Sequence, residues 1–363
     1  MTRIRVPDYF GGGLVNLVAE LEHRLAGRAA SPRLRPELGA LIPSAAAYVV
    51  VLFDGLGDGQ LGHPAAGPLH AARRAALDTS FSTQTSVVTS TLATGLPPAR
   101  HGLISYLLDL RDVGVVNTLY WHTTAGAPCP IDPAGFLPAP NLAERLLAAT
   151  GEAPVVVQPA GFVGSTLDRM LFRSAEVVGA DPGDLESAAA DAAAPGRLVL
   201  VYLPDVDAAA HLAGQRSPEY GAALERAGAL WTGLAAALPA HAALIGTADH
   251  GHVDVPPQDR VPLPLPDGIT VSGDARVAYL RGDPVTIEAA VAGLPGRWVP
   301  VGDAGPLWGP PPYHESFAER VPDGLLFADD GHAWVLPGDD LPMVGHHGGL
   351  SEAEVRVPLL VGG

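Results

Sequence analysis

The chain contains no lysine, so apart from histidine every basic side chain is arginine, 22 against 39 Asp and Glu, for a formal net charge of -17. Without lysine neither a P-loop nor a Schiff base can be built, which sets aside nucleotide-driven motors and pyridoxal enzymes. A composition rich in Ala, Gly, Pro and Arg is the simplest source of the absence. No basic run offsets the negative charge, so nucleic acid polymers are excluded as partners. A small phosphate ester is not excluded, because bound cations invert the local field of an acidic protein. The single cysteine, Cys129, rules out an internal disulfide and leaves the compartment open. The start, Met1-Thr2-Arg3-Ile4-Arg5, lacks an apolar signal region, and no apolar run reaches the length of a membrane span. A soluble, cytoplasmic protein without membrane contact is therefore expected.

What is present is apolar bulk: 363 residues, 47% hydrophobic and 17% charged, enough for one large core or a core plus a lobe. Continuous apolar runs at 48–53, 155–158, 198–203, 243–247 and 357–361 read as buried parallel strands. Segments 14–25, 141–149 and 217–238 carry helical spacing, with Asn141 and Ser217-Pro218 as starts. The alternation predicts an α/β fold with a largely parallel sheet. From 251 to 344 prolines and short alternating strands take over, which predicts an inserted lobe within a core of 1–250 and 345–363.

Five motifs carry chemistry. The run Val49-Val50-Val51-Leu52-Phe53 ends in Asp54-Gly55, and strand ends are where α/β proteins place ligands, although a lone Asp there is also an ordinary turn residue. Gly57 to Gly62 formally matches G-x-G-x-x-G, but Pro64 and Gly67-Pro68 lie where its helix would run, so it reads as a glycine loop. Thr85 sits where a loop enters a short helix closed by Gly95 and Pro97-Pro98. It is either a capping residue or a hydroxyl at a phosphate-attracting helix N-terminus. After Leu198–Leu203, Asp207 and His211 are spaced D-x3-H, which on a helix puts both on one face for shared metal ligation. A further strand ends in Asp249-His250-Gly251, and Gly345-His346-His347-Gly348 precedes the last strand. Carboxylate with imidazole suits zinc or manganese better than calcium.

In order and spacing, Asp54-Gly55, Thr85 with Thr94-Gly95 to His101-Gly102, Asp207 to His211, Asp249-His250-Gly251 and His347-Gly348 resemble the alkaline phosphatase superfamily, most of all its nucleotide pyrophosphatase/phosphodiesterase-like branch. The resemblance implies a three-layer α/β/α sandwich with a smaller inserted α+β lobe. It also implies metal-dependent hydrolysis of phosphate esters, most of all nucleotide phosphodiester or pyrophosphate bonds, through a covalent phosphothreonine on Thr85. Two divalent ions, Zn2+ or Mn2+, would be held by Asp207, His211 and His347, and by Asp54, Asp249, His250 and the Thr85 oxygen. Tyr106 stands where the family carries an asparagine that donates to a phosphate oxygen; a phenol can donate the same bond. The partner implied is a small-molecule phosphate ester, a nucleotide. Phosphomonoesterase, phosphonate hydrolase or phosphomutase chemistry on the same fold is the alternative. A sulfatase is disfavoured, because Cys129-Pro130-Ile131-Asp132 does not supply the segment its nucleophile matures in. A metal- or nucleotide-binding protein without turnover is the reading from another class, and Thr85 argues against it. His252, His314 and His332 receive no role.

Overall fold

The computed structural model describes residues 4–336 and 342–362. The chain start at Met1, Thr2 and Arg3, residues 337–341 of the expected lobe, and Gly363 lie outside them. The fold is mixed α/β with two seven-stranded sheets. The central sheet runs, in spatial order, Arg73–Asp78, Arg356–Val361, Ala242–Thr247, Ala47–Phe53, Leu198–Leu203, Val155–Pro159 and Glu176–Ala180. Side chains alternate across it. Val50 faces Leu17, Leu21 and Leu92, whereas the Phe53 ring packs against Trp231 at 6.3 Å on the other side. Helices Leu14–Ala26, Thr85–Thr94 and Leu142–Thr150 cluster together, and Pro218–Ala237 gathers Leu185–Ala192 and Asp205–Ala213.

Within the central sheet Ala242–Thr247, Ala47–Phe53, Leu198–Leu203, Val155–Pro159 and Glu176–Ala180 pair with one another in parallel, as the continuous apolar runs at 48–53, 155–158, 198–203 and 243–247 predict. The last strand is a correction: Arg356–Val361 runs antiparallel to both Ala242–Thr247 and Arg73–Asp78. An unbroken apolar run reports burial on both faces, not direction. The strand at 73–78 carries Arg73 and Arg74 at the sheet edge, the charged edge that discourages pairing with another chain.

The second sheet is antiparallel. It joins Gly296–Pro300, Gly324–Ala328, Val277–Arg281 and Thr270–Gly273 to Leu107–Leu110, Gly114–Asn117 and His122–Thr123. The 251–344 segment thus shares its sheet with strands drawn from 107–123. Where the sheets meet, Phe81 is fully buried among Trp308, Tyr279 and Phe327, with ring centroids 5.5 to 6.2 Å away. Burying such a ring is worth about 1.5–3 kcal/mol. It anchors the segment that leads into Thr85.

Candidate active site

Three adjacent strands deliver the site. Phe53 lies opposite Leu203 in one register and Leu52 opposite Thr247 in the other, so Asp54, the helix Asp205–Ala213 and Asp249-His250 emerge at the same edge. Gly55 makes the turn at φ +74°; a Cβ there would come within 2.8 Å of the Asp207 Cα. Only glycine allows both the left-handed backbone and that approach. His347 arrives from the far end of the chain through a two-residue antiparallel pairing of Val253 with His346 and Asp254 with Gly345.

The donors fall into two poles. At one, His250 Nε2 is 3.5 Å from Asp54 Oδ1, 3.4 Å from Asp249 Oδ2 and 3.2 Å from Thr85 Oγ1. At the other, His211 Nε2 is 3.3 Å from Asp207 Oδ1 and 3.1 Å from His347 Nε2, which is 3.7 Å from the same oxygen. Tetrahedral ligands at 2.0–2.1 Å from an ion stand about 3.3 Å apart, so both sets have the spacing of a coordination shell. The His250 and His347 rings stack at 3.6 Å between the poles. Among the described residues two groups can hold a metal: Asp54, Asp249 and His250, and Asp207, His250, His252 and His347.

The outer hydrogen bonds aim these atoms inward. Asp249 Oδ1 accepts the backbone N–H groups of Gly55 and His250, each at 3.0 Å, and Tyr202 donates its hydroxyl to Asp54 Oδ2. The remaining oxygens, Asp54 Oδ1 and Asp249 Oδ2, are buried without a hydrogen-bond partner. Each such atom costs about 1–3 kcal/mol unless something binds it, and a cation fits that requirement. His211 Nδ1 meets the Gly345 carbonyl at 2.7 Å, and His347 Nδ1 the Thr83 carbonyl at 2.7 Å. Both rings thereby carry their proton on Nδ1 and present bare Nε2, the form that ligates.

Electrostatics agree. Burial, then the charges of Asp249 and Asp207, push the Asp54 carboxyl well above its usual range. Burial also acts to raise Asp207, but His211 and the hydrogen bonds from His211 and His252 hold it well below. Burial and the neighbouring His250, His252 and His211 keep His347 neutral by pushing it far down. Three close carboxylates beside a neutral His347 make a site for positive charge.

Thr85 is the first residue of the helix Thr85–Thr94, with Gln84 as its cap and Gly95 closing it at φ 65°. Its hydroxyl therefore stands at a helix N-terminus, where backbone N–H groups favour anions. The loop before it grips the His347 loop: Gly348 N–H donates to Thr83 Oγ1 at 2.8 Å, Thr83 Oγ1 donates to the Gly349 carbonyl at 3.1 Å, and Gln84 Nε2 donates to the His347 carbonyl at 3.1 Å.

Asp54, Thr85, Asp207, His211, Asp249, His250 and His347 are thus brought together. Tyr106 is tied to the same helix start through its backbone: its carbonyl accepts Thr118, whose hydroxyl meets Ser86 Oγ at 2.7 Å. Asn117 Nδ2 donates to the Tyr106 hydroxyl at 2.6 Å, and the ring packs on the apolar cluster around Trp334. His252 is the residue the sequence reading left out, with Nε2 2.8 Å from Asp207 Oδ1. The available signal was its place two residues after His250, just beyond the strand end that carries Asp249.

Residues 161–290 match the family model of type I phosphodiesterases and nucleotide pyrophosphatases. No curated protein matches the chain. Among solved structures, human ectonucleotide pyrophosphatase/phosphodiesterase 5 is similar at TM-score 0.64 and 18% identity, over 87% of each chain. An inactive variant of the murine protein in complex with AMP gives 0.64 and 18%, over 86% of this chain and 87% of that one. Phosphonoacetate hydrolase from Sinorhizobium meliloti, in complex with phosphonoacetate, gives 0.61 and 17%, over 88% and 91%. The family model spans 130 of the 363 residues, and at 17–18% identity the likeness to the solved structures is one of fold.

Proposed function

We propose that the protein hydrolyses nucleotide phosphodiester or pyrophosphate bonds through a covalent phosphothreonine on Thr85. The observation that carries this is the hydroxyl itself: Thr85 Oγ1 lies at a helix N-terminus, 3.2 Å from His250 Nε2, beside two buried carboxylate oxygens without partners. Asp54, Asp249, His250 and the Thr85 oxygen would hold one divalent ion, and Asp207, His211 and His347 the other. The mixed donor set suits Zn2+ or Mn2+. Bound there, two ions neutralise the phosphoryl oxygens and lower the pKa of hydroxyl groups, the main work of phosphoryl transfer.

The rest falls to the chain. Thr85 Oγ1, its proton released to solvent, forms a bond to phosphorus as the bond to the leaving oxygen breaks, and that oxygen departs with the electron pair and takes up a proton. Water then adds to the phosphothreonine phosphorus, and Thr85 leaves as its alcohol. Tyr106 donates its hydroxyl to a non-bridging oxygen, with Asn117 steadying it through the 2.6 Å bond. A nucleobase has an aromatic neighbour in Phe162, 41% exposed and edge-on to Tyr202 at 6.0 Å. The similarity to a structure that holds AMP supports a nucleotide, and the phosphonoacetate hydrolase supplies the competing substrate class.

Thr85→Ala should lower turnover of a nitrophenyl nucleotide diester by about three orders of magnitude or more while metal content stays near that of the wild type. Full activity in that variant would end the nucleophile assignment. Faster turnover of a nitrophenyl monoester or a phosphonate than of the diester would overturn the substrate class.

A further inference from the structure

We propose that His252 is a positioning residue for Asp207, fixing that carboxylate by a hydrogen bond from Nε2 without itself ligating the ion. The proposal rests on the metal reading above and deepens it. Four imidazoles crowd the Asp207 pole, with the His252 ring edge-on to His211 at 4.8 Å and to His347 at 5.0 Å. Proximity alone would make His252 a fourth ligand, and two observations separate it from the others.

The first is distance. His252 Nε2 is 2.8 Å from Asp207 Oδ1, a hydrogen-bond length, whereas His211 and His347 stand 3.3 and 3.7 Å from that oxygen. Ligands on a common ion are about 3.3 Å apart. The second is the far side of the ring. His211 and His347 each hand Nδ1–H to a backbone carbonyl, but His252 Nδ1 is buried with no partner. A proton there would be an unsatisfied buried donor, and bare Nε2 would face a carboxylate oxygen lone pair to lone pair. The neutral ring with its proton on Nε2 avoids both, and that tautomer donates to Asp207 and cannot ligate through Nε2.

The slot is built for this ring. A Cβ on Gly55 would stand 2.8 Å from His252 Nε2, and one on Gly345 3.0 Å from Nδ1. The His252 carbonyl is pinned by Gln60 and Gln215 side-chain amides at 3.2 and 3.1 Å. The imidazole therefore has little room to turn. Its hydrogen bond holds Asp207 in one orientation and draws charge from the oxygen that faces the neighbouring ligands.

The test compares wild type, His252→Leu and His252→Gln, each loaded with Co2+ and titrated with a competing chelator while the visible spectrum is recorded. In the Leu variant one of two ions should be released with about 10- to 100-fold weaker affinity, the usual effect of losing a partner of a ligand, and the other should be unchanged. Gln, whose amide reaches the place of Nε2, should recover most of the difference. Refilled with excess Co2+, the Leu variant should regain the band intensity of the wild type, because no ligand has been lost. Unchanged affinity in the Leu variant would refute the positioning role, and a lasting change in band intensity would make His252 a ligand. A wild type that binds no Co2+ fails in the first arm, which overturns the metal reading and this inference with it.

Discussion

Replacing Asp54 by Asn should make the metal-free protein more stable, although it removes a ligand. Asp54 Oδ1 and Asp249 Oδ2 are buried, unpartnered and, with His250 Nε2, lie within 4.8 Å of one another. Two like charges at that separation repel by about 1 kcal/mol in water and about 3.5 kcal/mol at an effective dielectric of 20. Asn keeps a carbonyl oxygen to accept from Tyr202 and turns an N–H donor towards Asp249. With Asp54 ionised, a gain of about 1–3 kcal/mol follows for the metal-free state, shrinking at any pH where that raised carboxyl holds its proton. With ions present the order should reverse, since an ion at 1,000 times its dissociation constant adds about 4 kcal/mol to the protein that binds it. Urea unfolding of both proteins, with chelator and with excess Mn2+ or Zn2+, measures all four values. A metal-free Asn variant less stable than metal-free wild type would show that these carboxylates do not strain the cluster, and the case for a cation site would lose its physical basis.

Thr83→Val keeps the side-chain shape but strips the acceptor from Gly348 N–H and the donor from the Gly349 carbonyl; a loss of about 2–4 kcal/mol should appear in urea unfolding, together with weaker metal binding at the Asp207 pole. His101, fully buried, accepts Leu103 N–H on Nδ1 and meets Thr91 Oγ1 through Nε2, and burial, then His314 and Arg320, depress it to about 3. The unfolded chain takes up a proton near pH 6.5 that the folded site refuses, so His101 contributes stability fully above 6.5 that drains away towards pH 3, at up to about 1.4 kcal/mol per unit. His101→Gln should flatten that acid slope in metal-free protein, and an unchanged slope would contradict the assignment.

The strands that carry ligands were readable because buried parallel strands leave continuous apolar runs, and the residue after each run falls at the site edge. Asp54, Asp249 and the pair Asp207 and His211 follow from that rule. Thr85 was readable as a helix start but not as a neighbour of His250, which lies 165 positions away. His252 escaped because its significance depends on Val253 pairing with His346, a contact between two short segments with no pattern of their own. The direction of the last strand escaped for a similar reason: Leu359 and Leu360 are buried whichever way the chain runs. Nor does spacing reveal that Leu107–Leu110 joins a sheet completed 160 residues later by Thr270–Gly273, because pairing between segments so far apart in sequence leaves no local pattern.

The most direct test is elemental analysis of the purified protein alongside diesterase activity, before and after chelation and after return of Zn2+ or Mn2+. The expected result is two divalent ions per chain, loss of activity as they leave and recovery when they are restored. A protein that hydrolyses the diester equally well when stripped of metal, or that binds no ion at all, would contradict the convergence of those side chains on a shared metal-assisted hydroxyl.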